Sequence, residues 1–262
     1  MDWPWERGKK NGLNTLFNEE DYIEAFLNNG NTFLPDSGCP GPIVIDLDEN
    51  LVLVAIDVQY WLHRREKDTG EKICLSFTKA DFIQKIKSII REAGGKTILM
   101  VAHHPLHSNG NHGGYFSLKS HLFPLTDIHP VLFFPLPVLG TIYVMGRKYF
   151  GTNQDLAHPQ YKAFIKEMKN ALMGCENLIY ASGHEHNLQY FEIGKYHTII
   201  SGSASKTTWA ARKKEASFTY ASKGFAKMIF TKENEVWAEF WAPSENHQLG
   251  RLVFRKNIIG LD

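Results

Sequence analysis

The sequence predicts an α/β fold containing two sheets. Its first part mixes amphipathic helical stretches with short apolar strands, the pattern of a sheet flanked by helices. The run LVLVAID at 51–57 is apolar nearly throughout, as in a strand buried on both faces. The last third is rich in strand-like runs, read as mostly antiparallel. Nothing resembling a linker separates these parts, so the chain is read as one domain.

A first helix is expected over 19–28, where Tyr22, Ile23 and Phe26 fall at helical spacing and Gly30 supplies the stop. The turn-rich PDSGCPGP then leads into strands at 43–47 and 51–57, joined by Asp48, Glu49 and Asn50. A helix fits 79–93, with Phe82, Ile83, Ile86, Ile89 and Ile90 as its apolar stripe and Gly94-Gly95 as its end. A strand at 98–102 opens into a loop rich in His, Gly and Asn. A helix fits 160–173, and a strand at 177–183 again runs into histidines. Further strands are expected at 188–193, 196–201, 226–231, 235–241 and 252–255.

One segment imitates a membrane span. IHPVLFFPLPVLGTIYVMG, at 128–146, is nearly long enough to cross a bilayer. It is interrupted by His129, Pro130, Pro135, Pro137 and Gly140, and prolines break a continuous helix. The expectation is an irregular apolar lid or buried crossover. Contact of 128–146 with a membrane or a partner is the accompanying expectation.

With 29 basic and 28 acidic residues the net charge is +1, so the chain has no field to gather nucleic acid, and no nucleic-acid partner is expected. Hydrophobic residues at 43% exclude general disorder. None of the cysteines, Cys39, Cys74 and Cys175, lies in a CxxC pair, which argues against a thiolate zinc site. A Cys39–Cys74 disulfide and three unpaired thiols are both compatible with the spacing. Closing that loop would contribute roughly 4 kcal/mol in the chain-entropy model.

Two strand ends carry histidine. The first reads VAHHPLHSNGNHGG and the second SGHEHNLQY. Ligands gather at the carboxyl ends of strands in open α/β sheets, and imidazole is the commonest neutral metal ligand. A glycine before His184 is expected to allow the sharp turn by which two imidazoles converge.

GHEHNLQY resembles the GHxH motif of the calcineurin-like metallophosphoesterases. More narrowly it is similar to the purple, tartrate-resistant acid phosphatase branch, where GHxHNLQY is followed by a strand and SG-small-small, here YHTIISGSAS. VAHHPLHSNGNHGG resembles that branch's H-x-P loop, with the nine-residue interval falling between His103 and His112. The resemblance covers roughly 51–205. It implies a two-sheet α/β/β/α sandwich and a phosphatase in which two metals, Fe, Mn or Zn, activate a hydroxide that attacks a small phosphate ester in line. By motif, His103 and His184 would hold one metal and His186 the other. His112 would donate to the phosphate. Glu185 receives no chemistry, and His104 and His107 are read as supporting or surface residues.

None of the family's upstream motifs, DxH, then GDxxD or GDxxY, then GNH followed by an acid, precedes the H-x-P loop in this sequence. The only GNH, Gly110-Asn111-His112, lies after the H-x-P loop and is followed by Gly113. The chain begins Met1-Asp2-Trp3, as though Met1 stood where the motif has His. The expectation is a single calcineurin-like domain over 1–262 that lacks its first third of strands and helices. That loss would leave the edge of LVLVAID exposed. Without a bridging carboxylate such a chain should bind at most one metal, weakly, and have little or no activity alone. The alternative is a non-catalytic relic or interaction module. A three-His, one-metal enzyme is a third reading. Ser203-Ala204-Ser205-Lys206 matches S-x-x-K but lacks that motif's partners. The acid-phosphatase likeness and a Cys39–Cys74 bridge would both point to an exported or periplasmic protein.

Overall fold

The structure is a computed structural model that describes residues 12–62, 74, 78–127, 129, 131–213, 215–244 and 249–260. The Met1-Asp2-Trp3 start therefore lies outside the described residues. In order the elements are α1 (Gly12–Leu27), β1 (Ile43–Asp48), β2 (Leu51–Ala55), α2 (Gln59–Leu62), α3 (Lys79–Glu92), β3 (Thr97–Ala102), α4 (Leu118–Leu122), α5 (Pro137–Tyr149), α6 (Pro159–Leu172), β4 (Leu178–Ser182), β5 (Leu188–Ile193), β6 (Tyr196–Ser201), β7 (Phe218–Tyr220), β8 (Phe225–Phe230), β9 (Val236–Pro243) and β10 (Gly250–Ile259).

Two sheets form, as the composition of the elements predicts. The larger has the order β1-β2-β3-β4-β6-β5-β7 and the smaller β10-β9-β8. Strands β2, β3, β4 and β6 run parallel, while β1, β5 and β7 are antiparallel to their neighbours. The smaller sheet is antiparallel throughout. Helix α3 starts on a capping box in which Thr78 and Asp81 satisfy each other's backbone N–H groups, tying down donors a helix start leaves open. Its buried stripe packs with α6 over one face of the larger sheet: Phe82 and Ile86 meet Phe164 and Met168 above Val54, Met100 and Tyr180. The other face meets the smaller sheet, where Ile179, Tyr190 and Ile199 pack on Ala238, Phe240 and Ile258.

Three expectations need correction. Residues 137–149 are not irregular: they form helix α5. Pro137 occupies its first turn, where a missing N–H costs nothing, and Pro135 precedes it. Nor is this segment a buried crossover, since most of its apolar side chains are exposed. LVLVAID does not present an open edge either, because β2 pairs with β1 on one side and β3 on the other. The edge is β1, with Val44 and Leu47 exposed. Finally, the first helix begins well before residue 19, at Gly12. Trp237 and Trp241 lie on one face of β9, their indole N–H groups donating to Glu235 and Glu239. Among the described residues no helix is long and apolar enough to cross a membrane.

Candidate active site

Strands β3 and β4 are parallel neighbours, with Ala102 beside Ser182. The residues that follow them therefore emerge together, and the Gly183 N–H donates to the His103 carbonyl at 3.0 Å. His184 Nδ1 lies 3.3 Å from His103 Nε2, across 81 residues of sequence. The sharp turn belongs to His184 itself, whose φ is +65°, a left-handed conformation uncommon for a residue with a Cβ. Gly183 is not the source of it: a Cβ there would meet His103 Nδ1 at an ordinary 3.7 Å.

The loop after β3 is fixed from below. Buried Tyr180 donates to the His104 carbonyl and buried Tyr161 to the Pro105 carbonyl, at 2.8 and 2.5 Å. His112 follows in a short 3-10 turn, its ring centre 4.2 Å from that of His184. His112 Nδ1 lies 2.9 Å from Asp155 Oδ1, and a carboxylate only accepts, so Nδ1 carries the proton. That leaves Nε2 as the ring nitrogen for a ligand.

Asp155 is 1% exposed and accepts from two residues besides His112. Arg147 Nε donates to its Oδ2 at 3.0 Å, Arg147 Nη2 donates to its Oδ1, and the Thr152 N–H and hydroxyl donate to Oδ2 at 2.7 and 2.9 Å. Burial opposes the Asp155 charge, yet the His112 and Arg147 hydrogen bonds and the Arg147 cation hold its carboxyl well below the usual carboxylate range. Burial likewise opposes the Arg147 charge, and Asp155 more than offsets it. The neighbouring Gln154 reaches the same place. Its carbonyl lies 2.9 Å from His184 Nε2 and its Oε1 2.9 Å from His104 Nε2.

Glu185, assigned no chemistry by motif, fastens the two histidine loops to each other. Its buried Oε1 accepts from Ser108 Oγ, the His112 N–H and the Gly113 N–H at 2.5, 2.9 and 3.3 Å. A Cβ on Gly110 would sit 2.3 Å from Glu185 Oε2, so only glycine admits the carboxylate here.

The sequence-selected residues thus divide. His103, His112 and His184 come together. His186 is half-buried and close enough for the charges of His112 and His184 to act on it, with burial first and Lys206 next in lowering its pKa. His104 is fully buried and packs 4.4 Å from the His184 ring, a supporting role. His107 turns instead toward Phe191 and Tyr196. Ser203 is buried after β6, its hydroxyl 3.4 Å from the Gly224 carbonyl rather than at a helix start. Asp155, Arg147 and Gln154 carry no sequence motif, and only the folded chain brings them to the cluster.

Two imidazole nitrogens sharing one tetrahedral ion at the usual bond lengths stand about 3.3 Å apart. The His103–His184 separation matches that spacing, and a carbonyl beside the other nitrogen of His184 is the customary support of a ligating ring. The pair therefore fits one ion in part. The described residues do not fit a two-metal centre. No three His, Cys, Asp or Glu side chains among them group closely enough to hold a metal, Asp155 is committed to Arg147, His112 and Thr152, and Glu185 is packed against Gly110.

No family model matches the sequence, and no curated protein does. Solved structures do. The structure of PhoD is similar over 100% of this chain and 52% of its own, at 7% identity and a TM-score of 0.55. GAP50, the anchor in the inner membrane complex of Plasmodium, is 14% identical over 84% of this chain and 53% of its own, at a TM-score of 0.47. The purple acid phosphatase PPD1 from yellow lupin (Lupinus luteus) is 13% identical over 82% of this chain and 32% of its own, at a TM-score of 0.44. The likeness to PhoD shows a shared fold, and the chain has the calcineurin-like metallophosphoesterase fold. It spans about half the length of the PhoD and GAP50 chains.

Proposed function

We propose that this chain supplies the histidine side of a phosphoric ester hydrolase site for small phosphate esters. The observation that carries the reading is the 3.3 Å approach of His103 and His184 from adjacent strand ends, with His112 against them. In this reading His103 and His184 hold one ion, and His186 belongs to the position of a second. A bound ion supplies Lewis-acid polarisation of a phosphoryl oxygen and an acidified water. The chain's own residues orient the ester. Asp155 fixes the tautomer of His112, whose Nε2 faces the phosphoryl oxygens as donor when that nitrogen is protonated. Glu185 holds the loop that presents it. The bridging carboxylate of a two-metal site has no counterpart among the described residues, so the chain by itself should be weak or inactive. A site completed by ligands outside this sequence would be competent.

Equilibrium dialysis against Mn²⁺ and Zn²⁺ tests the reading, with hydrolysis of p-nitrophenyl phosphate followed in parallel. We expect at most one ion per chain, held at least roughly tenfold more weakly in His103→Ala and His184→Ala, with hydrolysis close to background. An ion whose affinity neither substitution changes would overturn the assignment, as would two tightly held ions. Complete absence of binding would favour the second reading, a non-catalytic scaffold. The commitment of Asp155 to Arg147, His112 and Thr152 is the observation behind that alternative.

A further inference from the structure

The segment after the histidine loop carries a surface with no use in the site. Helix α5 turns only Gly140 and Val144 fully inward. Gly140 lets it lie against α4, since a Cβ there would meet the His121 carbonyl at 2.1 Å. On its open side Val138, Ile142, Met145 and Tyr149 recur at helical spacing, with Val138 70% and Ile142 63% exposed. The approach to the helix is more apolar still. Val131, Leu132, Phe133 and Phe134 are consecutive and all exposed. A contiguous apolar surface of this kind marks an interaction site.

The backbone turns on itself here, the Phe133 and Phe134 N–H groups donating to the Val131 and Leu132 carbonyls, and although Phe133 stacks on Phe123 all four side chains stay exposed. A rigid protein face would cover some of these four and leave the rest in water, whereas a fluid apolar phase surrounds them all. The charges agree. Between residues 115 and 150 the acidic residue is Asp127, against Lys119, Arg147 and Lys148. Arg147 is spent on Asp155, which leaves two exposed lysines. Lys119 Nζ lies 5.5 Å from the Phe133 ring and Lys148 Nζ 5.7 Å from the Tyr149 ring. Ammonium groups at the margin of an exposed apolar face are the arrangement of a segment lying in a bilayer interface, with stems in the acyl boundary and charges among anionic headgroups.

We propose that residues 131–149 form a docking surface for an anionic lipid bilayer, inserted at its interface without crossing it. Through Arg147 and Asp155 this surface is bonded to His112, so docking sets the histidine cluster beside the membrane. The proposal stands independently of the phosphatase reading, because it rests on α5 and its approach alone.

Vesicle co-sedimentation tests it. The full chain should bind phosphatidylcholine vesicles containing phosphatidylglycerol roughly tenfold or more tightly than pure phosphatidylcholine vesicles. The double variant Val138→Ser/Ile142→Ser should lose roughly tenfold or more of that binding, and Lys119→Gln/Lys148→Gln should lose the preference for anionic vesicles. All four residues are exposed, so unchanged thermal unfolding should accompany both variants. Failure of the full chain to bind anionic vesicles would overturn the proposal, as would equal binding by the Val138→Ser/Ile142→Ser variant. A concentration-dependent dimer in sedimentation that this variant abolishes would overturn it in favour of a second copy of the chain.

Discussion

Asp155 shows how one side chain can set the chemistry of another. It is buried, ionised and shared between the guanidinium of Arg147 and the imidazole of His112. Asp155→Asn removes the charge and keeps the shape, leaving Arg147, only 16% exposed, without its counter-ion. Removing one partner of a buried pair costs more than the pair contributes, because the desolvated charge remains. We expect a loss of about 2–4 kcal/mol in urea unfolding, and a loss under 1 kcal/mol would mean that solvent already screens Arg147. His107 gives a second prediction. Its Nδ1 is buried without a partner among the described residues, and burial, followed by Lys169, lowers its pKa from 6.5 to about 3. The folded state thus refuses a proton that the unfolded chain takes up. Stability is full above pH 6.5 and falls as pH drops from there toward 3, by up to about 1.4 kcal/mol per pH unit. His107→Phe should flatten that part of a stability-versus-pH curve. An unchanged slope would place the acid sensitivity elsewhere.

At the scale of elements, what the sequence made legible follows from where the apolar residues fall. Helices α3 and α6 and strands β3, β5 and β6 are readable within a residue or so, because each buries one clear face or both. Helix α5 was not, since prolines argue against a helix by composition and only their positions relative to its first turn permit one. Three-residue β7 has no room to show a period. The site divides along the same line. His103, His112 and His184 stand at strand ends and in motifs, so their meeting was legible. Arg147, Gln154 and Asp155 come from α5 and the loop behind it, and nothing local in TNQD tells that loop to cross the histidines. The role of Glu185 was hidden for another reason: its partners are backbone N–H groups and a serine hydroxyl from another loop.

At the scale of the whole molecule, the larger sheet is held at one margin by a covalent tie. Cys39 and Cys74 form a disulfide with their Cα atoms 5.8 Å apart, deciding between the bridge and the unpaired thiols that the spacing left open. The bridge closes 35 residues of chain, enclosing β1, β2 and α2, so the edge hairpin and the approach to α3 cannot separate even when the chain unfolds. A loop of that length should raise stability by roughly 4 kcal/mol in the chain-entropy model. Cys39→Ser/Cys74→Ser should therefore unfold at lower urea than the parent by that amount. Dithiothreitol should bring the parent down to the variant's midpoint and leave the variant unmoved. Cys175 will not confuse the result, because burial raises its thiol pKa and keeps it a poor thiolate for exchange. A parent insensitive to dithiothreitol under conditions that reduce exposed disulfides, with the variant equally stable, would show that packing alone holds β1 to β2. The sheet edge would then rest on the five-residue pairing between those strands. A bridge that does carry the predicted stability ties the fold's edge to compartments where thiols are not kept reduced, which is the physical content of the expectation that this protein is exported.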